Sequence, residues 1–236
     1  MLGKINLYPG GEEETNGYRI YLKPGDYTFA VPEGVDTLYI SASGGGGGGG
    51  GGGAKGTYTC SGAGGGSGYR EKDKSVNVIP GDVLNIHIGS GGNGGSGAST
   101  YWTGGKGVTG TAGNATYISN SGINLVNVNG GAPGEGGTGG DYSTNTQSQG
   151  GTGGTNGENG TMGSERNNGG SGGSPDFSVY NSPNANVSNY YCIAGCGGAG
   201  GVSNGGYGTT DINGADGLPG YAIICWGDYR HRNVIP

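Results

Sequence analysis

Ser43-Gly44-Gly45-Gly46-Gly47-Gly48-Gly49-Gly50-Gly51-Gly52-Gly53-Ala54 carries ten glycines without interruption. No α-helix or ordinary strand is built from such a run, because glycine loses more backbone freedom on folding than any other residue. Two readings follow. The run is a floppy tether, or it is an extended glycine helix whose backbone groups bond to neighbouring segments. The rest of the chain favours the second.

Outward from this run, glycine recurs on a step of three. Gly104, Gly107, Gly110 and Gly113 keep that step, as do Gly131, Gly134, Gly137 and Gly140, and Gly151, Gly154, Gly157, Gly160 and Gly163. Shorter runs begin at Gly62, Gly89, Gly195 and Gly214. Three residues per turn is the period of the polyproline II backbone, with a rise of about 3.1 Å per residue. Every third glycine then forms one bare edge, along which a second rod approaches until N–H meets C=O. An all-glycine rod is bare on every side and can be surrounded. The run 44–53, with Gly44, Gly47, Gly50 and Gly53 along it, is therefore expected to be the central rod. Gly104, Gly107, Gly131, Gly134, Gly151 and Gly154 mark outer rods whose Ser, Thr, Asn and Ala residues face water. Collagen is a poor alternative, since its single long G-X-Y run is rich in proline and this chain has 9 Pro.

Composition supports order. Apolar residues make up 30% and charged residues 12%, both low for a globular chain, yet 16 Tyr and 2 Trp argue against disorder. The formal charge of −6, with only 11 Lys and Arg, gives no basic stripe and excludes nucleic acid as the expected partner. No run approaches the ~18 apolar residues of a membrane span, so no membrane insertion is expected. Residues 1–6 have no apolar signal region. An outward-facing surface without such a signal points to synthesis in a host cytoplasm and export by cell lysis inside a virus particle. Of four cysteines only Cys192 and Cys196 are close, which suits reduced thiols or one disulfide better than a metal site. No metal or cofactor is expected.

Period-two patterns flank and interrupt the glycine runs. Strands are expected at 26–31, 37–42, 75–79, 83–88 and 221–226, with Pro80-Gly81 as a type II turn. Residues 1–25 read as an attachment segment or an extra hairpin, 26–226 as the glycine-rich domain, and 227–236 as a tail. The fold class is mostly β and irregular. It is a bundle of polyglycine II helices on a small antiparallel β-sheet, with almost no α-helix.

If successive rods alternate in direction, the connections 54–61, 98–103 and 141–149 emerge at the end far from the sheet. With 169–173 counted as loop, the count that returns the final strand to the base, 202–213 is also distal and Tyr180, Tyr190 and Tyr191 lie near the base; with the other parity they are tip residues. Tyr58, Tyr101, Trp102 and Tyr142, set among Asn, Ser and Gly, have the chemistry of a recognition surface, in which rigid aromatics give contact area and small polar residues adapt. They are the expected receptor-binding residues. No paired carboxylates at glycosidase spacing, no Ser-His-Asp arrangement and no phosphate loop can be read, so no catalysis is expected.

The succession of Tyr27-Thr28-Phe29-Ala30-Val31-Pro32-Glu33-Gly34-Val35, a long glycine run, a hairpin around Pro80-Gly81-Asp82, then Gly89-Ser90-Gly91-Gly92-Asn93-Gly94-Gly95 and finally Gly217-Leu218-Pro219-Gly220-Tyr221-Ala222-Ile223-Ile224-Cys225-Trp226 resembles the glycine-rich domain of bacteriophage tail-fibre and tail-tip proteins. The resemblance spans roughly residues 26–226. It implies a stack of polyglycine II helices whose distal loops bind a host surface glycan or outer-membrane protein. It also implies a base that meets other virion proteins, as a homotrimer or in multiple copies. The alternatives are a head-fibre or capsid decoration protein without a specific receptor, and an ice-binding protein.

Overall fold

A computed structural model describes residues 16–55, 58–98, 105–137, 159–163, 169–173, 194–201 and 213–228. These residues contain ten strands and no helix. In chain order they are β1 (Gly17–Tyr21), β2 (Gly25–Ala30), β3 (Thr37–Ser43), β4 (Gly53–Lys55), β5 (Tyr58–Cys60), β6 (Arg70–Asn77), β7 (Val83–Ile88), β8 (Thr116–Asn120), β9 (Ile123–Val128) and β10 (Tyr221–Trp226).

Where one small sheet was expected, the described residues form two four-stranded sheets and a two-stranded hairpin, β4-β5. All pairings are antiparallel, in the orders β1-β10-β3-β6 and β2-β7-β8-β9. The sheets enclose a core of aliphatic side chains, with Leu38, Ile40 and Ile224 from the first meeting Leu84, Ile86, Ile118 and Val126 from the second. Trp226 is fully buried beside Phe29, their rings 5.5 Å apart. β1 pairs along β10, so the first sheet begins before residue 26. Turn chemistry fixes the registers. Ile79 C=O accepts from Asp82 N–H across Pro80-Gly81, with Gly81 at φ 83°, as a type II turn requires. Ser121 and Gly122 both take positive φ, the type I′ turn of a tight hairpin, between β8 and β9.

Six of these strands do not end but run on into glycine-rich rods. β3 continues as 44–52, and rod 61–69 leads into β6. β7 continues as 89–98, and rod 105–114 leads into β8. β9 continues as 129–137, and rod 213–220 leads into β10. Sheet neighbours remain neighbours in the rods.

The rod 44–52 lies at the centre. Amides of Gly44, Gly47 and Gly50 donate to Tyr69, Gly66 and Ala63, those of Gly45, Gly48 and Gly51 to Asn114, Thr111 and Val108, and those of Gly46 and Gly49 to Leu218 and Ala215. Each set runs antiparallel to the central rod. The central carbonyls accept from three parallel rods. Gly92, Gly95 and Ala98 bond to Gly46, Gly49 and Gly52. Gly131, Gly134 and Gly137 bond to Gly45, Gly48 and Gly51. Gly198 and Gly201 bond to Gly47 and Gly50. The six neighbours alternate in direction and also bond to one another around the ring, for example Gly62 to Gly201, Ala63 to Glu135, Gly107 to Gly137, Val108 to Ser96, Gly214 to Gly95 and Ala215 to Ala199.

A step of three in the bonding partners is the signature of the three-fold extended helix. Among the described rod glycines only Gly195 has positive φ, so the rods share one hand. The L-residues between the outer glycines favour that hand, and the central rod adopts it too. The need for glycine is steric. A Cβ on Gly45, Gly48 or Gly51 would stand 2.0–2.1 Å from the backbone oxygens of Ser90, Asn93 and Ser96. Gly47 and Gly50 are equally closed by Ala132 and Glu135, both at 2.0 Å. Gly107, Gly131 and Gly134 turn the same bare edge to a neighbour. Gly53 leaves the rod and starts β4, while Gly104, Gly151 and Gly154 lie outside the described residues.

Residues 169–173, read as loop, form a rod. Gly170 and Gly173 donate to Gly62 and Gly65, and Gly197 and Gly200 donate back to Gly173 and Gly170. Five residues are too few to display the three-step in sequence.

Candidate functional site

The alternation of rods gathers chain connections at one end. β3 delivers the chain into the central rod at Gly44, and the rod ends at the β4–β5 hairpin, where Gly53 pairs with Cys60. At that same level Ala98 donates to Gly52 (2.9 Å), Gly137 to Gly51 (2.8 Å) and Gly201 to Gly50 (2.7 Å). Three parallel rods thus finish together, far from the sandwich. Rods 105–114 and 213–220 start at that end and run back toward the sheets. Rod 169–173 runs toward the base and rod 194–201 away from it.

Of the expected receptor-binding residues, Tyr58 opens β5 in the distal hairpin. Tyr101, Trp102 and Tyr142 lie outside the described residues, as do Tyr180, Tyr190 and Tyr191. The structure therefore fixes the anchor points of these segments.

Among the described residues, side chains satisfy several amides on the outer side of the rods. Asp216 Oδ1 accepts from Gly94 N–H at 2.7 Å and Asn213 Oδ1 from Gly97 N–H at 2.9 Å. Thr111 Oγ1 accepts from Asn93 N–H and Thr161 Oγ1 from Ser171 N–H, both at 2.7 Å. At the junction with the sandwich Thr116 Oγ1 accepts from Gly89 N–H at 3.0 Å.

Beneath the platform lies a second apolar cluster of Ala194, Tyr221, Ile223 and Cys225, on the opposite face of the first sheet from the main core. Cys225 is a free thiol, and burial pushes it up to about 11. Burial likewise pushes the Tyr221 phenol up to about 12. Both stay neutral in ordinary conditions, which suits packing rather than reactivity. Cys196 is disulfide-bonded. Among the described residues no three His, Cys, Asp or Glu side chains gather to hold a metal, and no helix is long and apolar enough to cross a membrane.

Sequence reasoning missed a group of side chains built around His87. Asp26, His87 and Tyr117 are cross-strand partners on the outer face of the second sheet. Asp26 Oδ1 lies 2.6 Å from His87 Nδ1, and the His87 ring stacks on Tyr117 at 4.8 Å. Only the register of three strands, separated by long stretches of chain, brings them together.

No curated protein matches the chain. A family model described as a glycine-rich domain matches residues 22–227, from the residue after β1 to the residue after β10, and the chain belongs to that family.

Proposed function

We propose that the protein is a bacteriophage virion surface adhesin of the tail-fibre-tip kind, which binds a host surface glycan or outer-membrane protein through the connections between its rods. The observation that carries this reading is the common level of Ala98, Gly137 and Gly201 around the β4–β5 hairpin. A block bonded through its main chain presents several independent chain segments side by side at one end. Such a platform tolerates sequence change in the presented segments without cost to its interior, and rigidity reduces the entropy lost on binding. Tyr58, Tyr101, Trp102 and Tyr142 belong to those segments and supply aromatic contact area. The action is binding alone, with several copies on the particle adding avidity. The sandwich end meets other virion proteins.

Replacing 99–103 and 141–149 with Gly-Ser segments of equal length tests the reading. Particles carrying the variant are expected to assemble normally and to lose adsorption to host cells. Full adsorption by intact variant particles would favour a decoration protein with no receptor of its own.

A further inference from the structure

The outer face of the second sheet carries a group of side chains that the distal platform does not use. Asp26, Thr28, Asn85, His87 and Tyr117 line an open concavity of about 430 Å³. This lies within the size range of small-ligand sites. The group is organised from within. The Asp26 carboxylate accepts from His87 Nδ1–H at 2.6 Å, which fixes the imidazole and leaves Nε2 free. The fixed ring lies nearly parallel to Tyr117, 17° between planes, and forms a double-ring shelf. Tyr117 is 38% exposed, and the Asp26 side chain is 83% exposed, so the shelf and its acceptor both face solvent. Register places Thr28 opposite Asn85, one pleat along from the Asp26–His87 pair.

We propose that this face is a saccharide-binding patch for neutral sugars, separate from the distal platform and independent of its function. The chemistry of the lining selects the ligand. Asp26 is the one carboxylate among the lining residues and no Lys or Arg stands with it, so the lining offers no fixed cation to a phosphate or carboxylate ligand. A wholly apolar ligand would strip water from Asp26, Asn85 and Thr28 without replacing its hydrogen bonds. A neutral pyranose meets both demands. Its C–H face carries slight positive charge and lies against the negative face of an aromatic ring. Its hydroxyls donate to Asp26, and Asn85 offers both a donor and an acceptor. The sandwich core lies behind the patch, so the ligand needs no rearrangement of the sheet.

Saturation-transfer NMR on the full chain, with the methyl glycosides of glucose, galactose, mannose and N-acetylglucosamine, tests the proposal. At least one is expected to show transfer, and titration of that sugar to weaken about tenfold or more in both Tyr117→Ala and Asp26→Asn. Asp26→Asn keeps the shape and serves where Tyr117→Ala fails to fold. A Tyr101→Ser/Trp102→Ser variant is expected to bind the sugar unchanged, which separates this patch from the distal connections. The proposal is overturned if none of the four sugars shows transfer, or if binding persists undiminished in Asp26→Asn. It is also overturned if sedimentation shows the face occupied by a second copy of the chain and Tyr117→Ala releases it.

Discussion

The sandwich and the glycine block are made by the same strands and packed by opposite means. Between the two sheets, side chains interdigitate and hold the backbones about 10 Å apart. Past Ser43 and Thr116 the side chains vanish and backbones close to hydrogen-bonding distance, with Gly44 amide 2.9 Å from Tyr69 oxygen. The transition is stepped along β3. Ile40 fills the core, Ala42 is smaller, Ser43 turns its hydroxyl onto Gly44 C=O at 3.0 Å, and then nothing but backbone remains. In one half water is excluded by hydrocarbon. In the other it is excluded because the central amides from Gly44 to Gly51 and the carbonyls from Gly45 to Gly52 already have partners. The two halves should therefore respond differently to the same perturbation.

The largest difference is expected from a single methyl group. Gly48→Ala puts a Cβ 2.0 Å from Asn93 oxygen, and that oxygen is main chain in a bonded rod. Relief requires separating rods, which breaks bonds around the ring, so the loss should exceed about 5 kcal/mol, a large part of the stability of an ordinary domain. The variant is expected to fail to fold, as judged by circular dichroism and gel filtration. Gly122→Ala is the comparison. A Cβ there meets nothing within 4 Å, and only the φ of 83° resists it. It should cost about 1 kcal/mol. Comparable losses for the two would mean that backbone closeness is not what holds the block.

A side-chain truncation in the sandwich acts on the other material. Leu84→Ala removes a fully buried side chain and should cost about 2–5 kcal/mol in chemical denaturation. Hydrogen exchange sharpens the contrast without mutation. Amides of Gly45 and Gly48, bonded and enclosed, should exchange only on global unfolding, as slowly as the amides of β10. Exchange of those glycine amides within seconds would show the block to be open.

Much of this division is visible in the sequence. The step of three declares where a Cβ is excluded, and β7 coincides with its period-two pattern and β10 with its continuous apolar run, because the first buries alternate residues and the second all of them. The start of β6 was not visible. Arg70-Glu71-Lys72-Asp73-Lys74 shows no apolar alternation, since this edge of the sheet is half in water and is held by a bulge at Asp73, whose N–H donates to Ser41 Oγ at 2.9 Å. The division of strands into two sheets was also hidden, because alternation records that one face is buried and not which sheet covers it. The candidate recognition residues were readable as aromatic insertions, but their convergence depends on rod direction. The Asp26–His87–Tyr117 group depends on register, which no local pattern encodes.

Alkaline pH tests the seam between the halves. Tyr221 and Cys225 have folded-state values above their ordinary 10.0 and 9.0 because burial disfavours the charged forms. Each group therefore contributes fully below its unfolded value, and the contribution is lost as pH rises toward its folded value. Stability should begin to fall near pH 9, for Cys225, and continue falling to about 12, for Tyr221. The loss should be on the order of 3 kcal/mol for Tyr221 and smaller for Cys225. Denaturant midpoints measured across this range check the slope. Tyr221→Phe should flatten the upper part, and a thiol reagent should leave Cys225 unlabelled until the fold opens.

The smallest effect is expected at the rim, where the two materials give way to water. Asp216 accepts from Gly94 N–H on the outer side of its rod. Asp216→Ala removes the acceptor but exposes the amide to solvent, which restores a hydrogen bond, so the cost should be only about 0.5–1.5 kcal/mol. The same change should free the Gly94 amide to exchange by local opening, while Gly48, one layer inside, keeps its protection. If Asp216→Ala instead unprotected the central rod, the block would be a single cooperative lattice in which the rim holds the centre. If it unprotected Gly94 alone, rim positions would be free to vary. A platform of that kind can change its outward chemistry one side chain at a time while its interior stays fixed by glycine.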